Sequence, residues 1–107
     1  MTSRARPKRT VDPDDEIFVL RLYVAGTSAR SARAIENAKQ ICDAHLAGRY
    51  ELEVIDIFQQ PHRAKDDEIL AVPMLIKRLP APLKRFIGDL SDHDVVLVGL
   101  DVKQAAS

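Results

Sequence analysis

The sequence predicts one small α/β domain that opens with a parallel βαβ unit, and three observations carry that prediction. IFVLRLYVA, from Ile17, is rich in β-branched and aromatic residues and holds one charge, the composition of a central, mostly buried strand. Beyond Gly26, the residues Ala34, Ile35, Ala38, Ile41, Cys42 and His45 recur at three- and four-residue spacing, which makes one apolar face of a helix. YELEVIDIF then alternates Leu52, Val54, Asp56 and Phe58 as a second strand. Strand–helix–strand with a crossover of this length closes as a right-handed parallel unit.

Each element has its own signals. Residues 1–16 split into a basic block (Arg4, Arg6, Lys8, Arg9) and an acidic one (Asp12, Asp14, Asp15, Glu16); with almost nothing to bury, they read as a flexible tail ahead of a domain spanning 17–104, with 105–107 as a short C-terminal tail. Ser28 and Ser31 offer caps for the first helix, and Gly48 stops it. HRAKDDEIL reads as a short helix opened by Pro61, and AVPMLIKRL as a strand entered through the Val72–Pro73 bond. Two later segments support two structures each. LKRFIGDL places Leu83, Phe86 and Ile87 at helical spacing, yet Leu83, Arg85 and Ile87 also share a strand face. SDHDVVLVGLDV has Ser91 three residues before Asp94, close to a capping box, but VVLVGLDV has the composition of a buried strand.

Composition removes several function classes. Sixteen basic and sixteen acidic residues cancel, so no global field steers the chain to nucleic acid or to a membrane surface, and three Phe, two Tyr and no Trp leave few stacking platforms. No apolar run approaches the roughly 20 residues of a transmembrane helix. The single cysteine, Cys42, permits no internal disulfide, and a cytoplasmic location is the expectation.

Catalytic parts are missing from the pattern. A βαβ start followed by a Val–Pro bond into a strand resembles the thioredoxin fold, whose corresponding proline is often cis, and Pro73 is the candidate here. A redox enzyme on that fold needs a thiolate at the start of the first helix, where this chain reads GTSARS. Cys42 and His45 lie well inside the helix and lack an orienting third group. His45, His62 and His93 show no metal-ligand spacing, Asp66–Glu68 reads as a solvated helix face, and no phosphate-binding glycine loop occurs. No catalytic residue, metal or cofactor is expected, and the pattern points to a binding protein.

LRLYVAG, ELEVIDI, ILAVPMLIKRLPAPLKRFIGDLSD and VLVGLD, in that order and spacing, resemble the KaiB family of circadian clock proteins from about Phe18 to Val102. The resemblance implies a non-enzyme that binds a hexameric, ATP-hydrolysing, autophosphorylating KaiC-type protein through a thioredoxin-like βαβαββα form. It also implies a second fold, βαββααβ, which associates into dimers and tetramers, with 83–88 helical and the C-terminal segment a strand. On this analogy Gly99 and Asp101 influence the balance between folds, and Gly99→Ala favours the helical form because Ala gains more in a helix than in a strand. Tyr23, Lys77, Lys84 and Arg85 are the implied partner contacts. TSARS replaces the family's more usual Asn-Thr-Pro-containing loop, residues 1–16 make a longer tail than usual, and an acidic C-terminal extension is absent. These departures bear on whether a KaiA-like partner takes part and whether the system oscillates or acts as a simpler timer. The competing reading is a cysteine-less thioredoxin-like adaptor or sensory domain unrelated to a clock.

Overall fold

The strand predicted from Ile17 forms as β1 (Phe18–Val24), and its residues alternate between two covered faces. The computed structural model describes residues 16–101; the expected tail residues 1–15, and residues 102–107, lie outside the described residues. After β1 come α1 (Ala29–His45), β2 (Tyr50–Asp56), α2 (Pro61–Asp66), β3 (Met74–Leu79), β4 (Lys84–Ile87) and α3 (His93–Leu100). The sheet order is β2-β1-β3-β4, with β2 parallel to β1 and both later pairings antiparallel. This is the βαβαββα order of the thioredoxin-like form.

Two apolar clusters sit on opposite faces of the sheet. Phe18, Leu20, Leu22 and Val24 of β1 meet Ala34, Ala38, Ile41 and Cys42 of α1 and Val96, Leu97 and Leu100 of α3. On the other face Tyr23, Ile55, Met74 and Ile76 are covered by Ile57, Ala64, Ile69 and Val72, around α2. Each fully buried leucine contributes roughly 1.5–3 kcal/mol.

Sequence signals and structure part company in three places. Val54, one of the alternating residues that marked β2, is 39% exposed on this edge strand, and Ile55 on the opposite face is buried instead. Phe58 lies past the end of β2 and is 72% exposed. The cap of α3 is Asp92 rather than Ser91: its carboxylate accepts from the Val95 N–H at 3.2 Å, one residue later than the sequence pattern suggested. The ambiguous segments resolve here as a strand (β4) and a helix (α3). The peptide bonds Val72–Pro73, Leu79–Pro80 and Ala81–Pro82 are cis.

Candidate functional site

The loop after β1 occupies the position where a thioredoxin carries its thiols, and here it is closed by hydroxyls. Ser28 caps α1 by accepting from the Ser31 N–H, while the buried Ser31 hydroxyl accepts from the Ala25 N–H at 3.0 Å. Asp56 at the end of β2 accepts from the N–H groups of Gly26 and Phe58, at 3.1 and 2.9 Å. Gly26 has φ +59, and a Cβ there would stand 3.2 Å from the Phe58 ring, so two requirements select glycine. Cys42 lies three turns along α1 on the face packed against the sheet, 1% exposed, its thiol pushed up to about 12 by burial and then by Asp43. Such a thiol is chemically quiet. Among the described residues no three His, Cys, Asp or Glu side chains come together as a metal site.

The four expected contact residues divide evenly. Lys84 and Arg85 are exposed on β4, the open edge of the sheet. Tyr23 and Lys77 are not surface residues in this conformation: their exposures are 0% and 1%. Both lie on the central strands β1 and β3, which are covered on both faces along Leu22–Val24 and Met74–Lys77. Lys77 points toward α3, and among the described residues it makes no hydrogen bond or ion pair. Burial lowers its pKa; Asp101 and Glu16 pull it back up and Lys84 pushes it further down.

Tyr23 leads to a residue that the sequence reading missed. Its hydroxyl donates to the Asp67 carboxylate and also approaches the Arg63 carbonyl at 3.1 Å. Arg21 and Arg78 reach the same carboxylate at 2.9 and 3.1 Å, and Arg85 donates to the Asp67 carbonyl at 3.0 Å. Burial alone would raise the Asp67 carboxyl, but Tyr23, Arg21 and Arg78 outweigh it and hold it below its ordinary value. The Tyr23 phenol is pushed up to about 12, by burial first and by Asp67 second. Asp66 and Glu68 are exposed, as a solvated run should be; only the middle acid turns inward. Nothing local in DDE marks it, since Arg21 and Tyr23 lie more than forty residues away.

The turn from β4 into α3 is held by α1. Arg33 pairs with Asp89 at 3.1 Å, Asn37 donates to the Asp89 carbonyl at 2.8 Å, and the same Asn37 meets His93 at 3.2 Å. The helix then packs its Gly99 against Phe86 of β4: a Cβ at position 99 would fall 2.3 Å from Phe86 Cε2. Asp101 ends α3 in the left-handed region, φ 63, its N–H bonded to the carbonyls of Leu97 and Val98.

A sheet of this order, with GTSARS in the loop after its first strand, defines a thioredoxin-like domain that has no cysteine in that loop. The KaiB domain model matches residues 21–102, and the chain belongs to the KaiB family. Circadian clock protein KaiB3 of Synechocystis sp. is 50% identical over 85 residues, covering 79% of this chain and 83% of that protein. The circadian clock oscillator protein KaiB of Trichodesmium erythraeum is 46% identical over 92 residues, covering 86% and 88%. Among solved structures, the N-terminal domain of Synechococcus elongatus SasA superposes with a TM-score of 0.68 at 24% identity over 99% of each chain. Mitochondrial thioredoxin 3 of Saccharomyces cerevisiae gives 0.65 at 14% identity, covering 84% and 83%, so the fold is thioredoxin-like. Among the described residues no helix is long and apolar enough to cross a membrane.

Proposed function

We propose that this chain is a clock or timer protein of the cytoplasm that binds a hexameric KaiC-type ATPase and modulates its phosphorylation cycle, without catalysing a reaction itself. The observation that carries the reading is the KaiB match across residues 21–102, nearly the whole described chain, on a scaffold whose thiol position is empty of cysteine. Lys84 and Arg85 are the proposed contacts, exposed cations on an open strand that suit acidic groups on a ring. Tyr23 belongs to the interior of this form and holds its shape through Asp67, while Lys77 is an interior cation whose burial works against it.

Fold switching to a βαββααβ form that associates into dimers or tetramers is part of the proposal. What supports it is the imperfect fit of the Val-rich segment to its helix: Val95 and Val98 remain 60% and 79% exposed in α3. A strand in a second packing would have a use for both side chains, and two packings coexist when they differ by only a few kcal/mol. The test is size-exclusion chromatography with light scattering, on the chain alone and mixed with the KaiC-type ATPase of its own organism and ATP. The expected result is a ring carrying bound copies. A tetramer alone that joins the ring slowly places the resting state in the second fold, and a monomer that joins at once places it in the fold described here. No complex under any nucleotide removes the clock function.

A further inference from the structure

The open edge of β4 has a backbone polarity that its neighbours define. Gly88 donates its N–H to the Pro73 carbonyl at 2.9 Å, and the same register pairs Met74 with Ile87, Leu75 with Phe86, Ile76 with Arg85 and Lys77 with Lys84. Hydrogen-bonded pairs alternate along an antiparallel ladder, so Lys84 and Phe86 turn their N–H and C=O groups to β3. Arg85 and Ile87 therefore turn theirs outward, to an edge with no further strand among the described residues.

That edge runs into a groove of about 430 Å³ between β4, the following turn and the starts of α1 and α3. Its floor is apolar, with Phe86, Ile87 and Val95, and Ile87 is 68% exposed. Its far wall carries Arg30, which makes no ion pair or hydrogen bond among the described residues. The acids nearby are engaged: Asp89 with Arg33, Asp92 with the α3 cap. Lys84 and Arg30, which make no ion pair among the described residues, thus lie beside two free backbone pairing positions, with the Arg85 guanidinium held to the Asp67 carbonyl at 3.0 Å and Asp92 as the one groove acid without a cation.

We infer that β4 accepts a partner's extended segment with alternating acidic and apolar side chains, which adds a fifth strand by pairing with Arg85 and Ile87 and sets a carboxylate on Arg30. Main-chain bonds supply affinity in strand addition, and alternate side chains supply selectivity. A second copy of this chain is a poor occupant, because pairing two β4 edges gathers Lys84 and Arg85 from both copies on one seam. The opposite edge, β2, carries an exposed Glu51 that disfavours the same partner, while its Glu53 is paired with Arg63 at 2.8 Å. The inference deepens the proposed function by naming a binding mode for the Lys84–Arg85 surface, and rests on that reading only for the ring as partner.

The test uses the full chain and a capped synthetic peptide of alternating Glu and Val, with an alternating Lys and Val peptide as control, followed by amide NMR and hydrogen exchange. The expected result is that the acidic peptide alone protects the Arg85 and Ile87 amides. Its affinity should fall about tenfold in Ile87→Pro, which deletes one outward donor, and by a similar factor in Arg30→Glu. Proline is tolerated at an edge position whose N–H faces solvent, and Arg30→Glu serves if Ile87→Pro does not fold. Protection elsewhere, equal binding of the basic peptide, or no binding overturns the inference. So does protection already present in the free chain, whether it vanishes on dilution (a second copy) or on deleting residues 1–15 (its own acidic run). A peptide that binds while the ring does not leaves strand addition standing and removes the ring. A ring that binds Ile87→Pro and the wild-type chain equally removes strand addition and leaves the ring.

Discussion

Gly99 shows how a single residue can answer to two opposed terms. Alanine is favoured over glycine in a helix by about 0.8–1 kcal/mol, which underlies the expectation that Gly99→Ala strengthens the helical form. In place, the added methyl meets the Phe86 ring at 2.3 Å, so the ring must move before any of that gain is realised. The two residues should therefore be coupled: in a double-mutant cycle with Phe86→Leu, chemical denaturation should give an interaction energy of about 1–2 kcal/mol. Additive effects would show that Phe86 gives way freely. Asp67 is the other decisive residue. Asp67→Asn should lower the denaturation midpoint with an unchanged m-value, by roughly 1–3 kcal/mol, discounted because Arg21 and Arg78 are partly exposed. The sign of the pH effect follows from the lowered carboxyl. Its contribution is present above the unfolded value of about 3.9 and is lost as pH falls through the folded one. Acid unfolding should accordingly begin below about pH 4 and be blunted in Asp67→Asn, as a urea series at stepped pH will read.

At the scale of elements, the first half was legible and the second was not, for a physical reason. β1 and α1 each carry a full period of apolar residues, and α1 has a cap and a stop as well, so local preference and packing agree there; β2 was legible as a strand, though not in which residues it buries. β4 is four residues long and contributes one half-buried side chain, Phe86, so its identity comes from pairing with β3 rather than from its own pattern. α3 takes a strand-like sequence and holds it as a helix by the Asp92 cap, by the left-handed Asp101 and by the anchor of Arg33 and Asn37 on the preceding turn. The exposed site residues Lys84 and Arg85 could be named from sequence, but the burial of Tyr23 and Lys77 depends on which elements cover them. Asp67 could not be found at all, because its partners converge from β1 and β3. The cap is open to a clean comparison: Asp92→Ala should cost about 1 kcal/mol and speed amide exchange in α3 roughly fivefold, while Ser91→Ala should leave it unchanged. The reverse order would return the cap to the residue that sequence pattern favoured.

For the whole molecule, Lys77 matters most. A cation at 1% exposure, with no hydrogen bond or ion pair among the described residues and only the fields of Asp101 and Glu16 to favour its charge, opposes the very fold that buries it. Its pKa is lowered by burial, so the unfolded chain holds the proton more tightly, and stability should rise as pH climbs toward the unfolded value of about 10.4. Lys77→Met should stabilise this form by about 1–3 kcal/mol and flatten that alkaline rise. In a molecule that exchanges between packings, the same substitution should raise the population of the form described here, read from the amide spectrum. A destabilised Lys77→Met chain would mean that the ammonium is satisfied after all.

The seclusion of Cys42 has a practical corollary. It is the chain's only thiol and lies in α1, in the half of the molecule whose pattern admits one structure. A thiol reagent reaches it only when α1 lifts from the sheet, so its labelling rate counts excursions to the open chain and is blind to rearrangements confined to β4 and α3. A second cysteine introduced at Val98, 79% exposed in α3, reports on that helix instead. One labelling time course, resolved by mass, then separates global opening from local remodelling within a single sample.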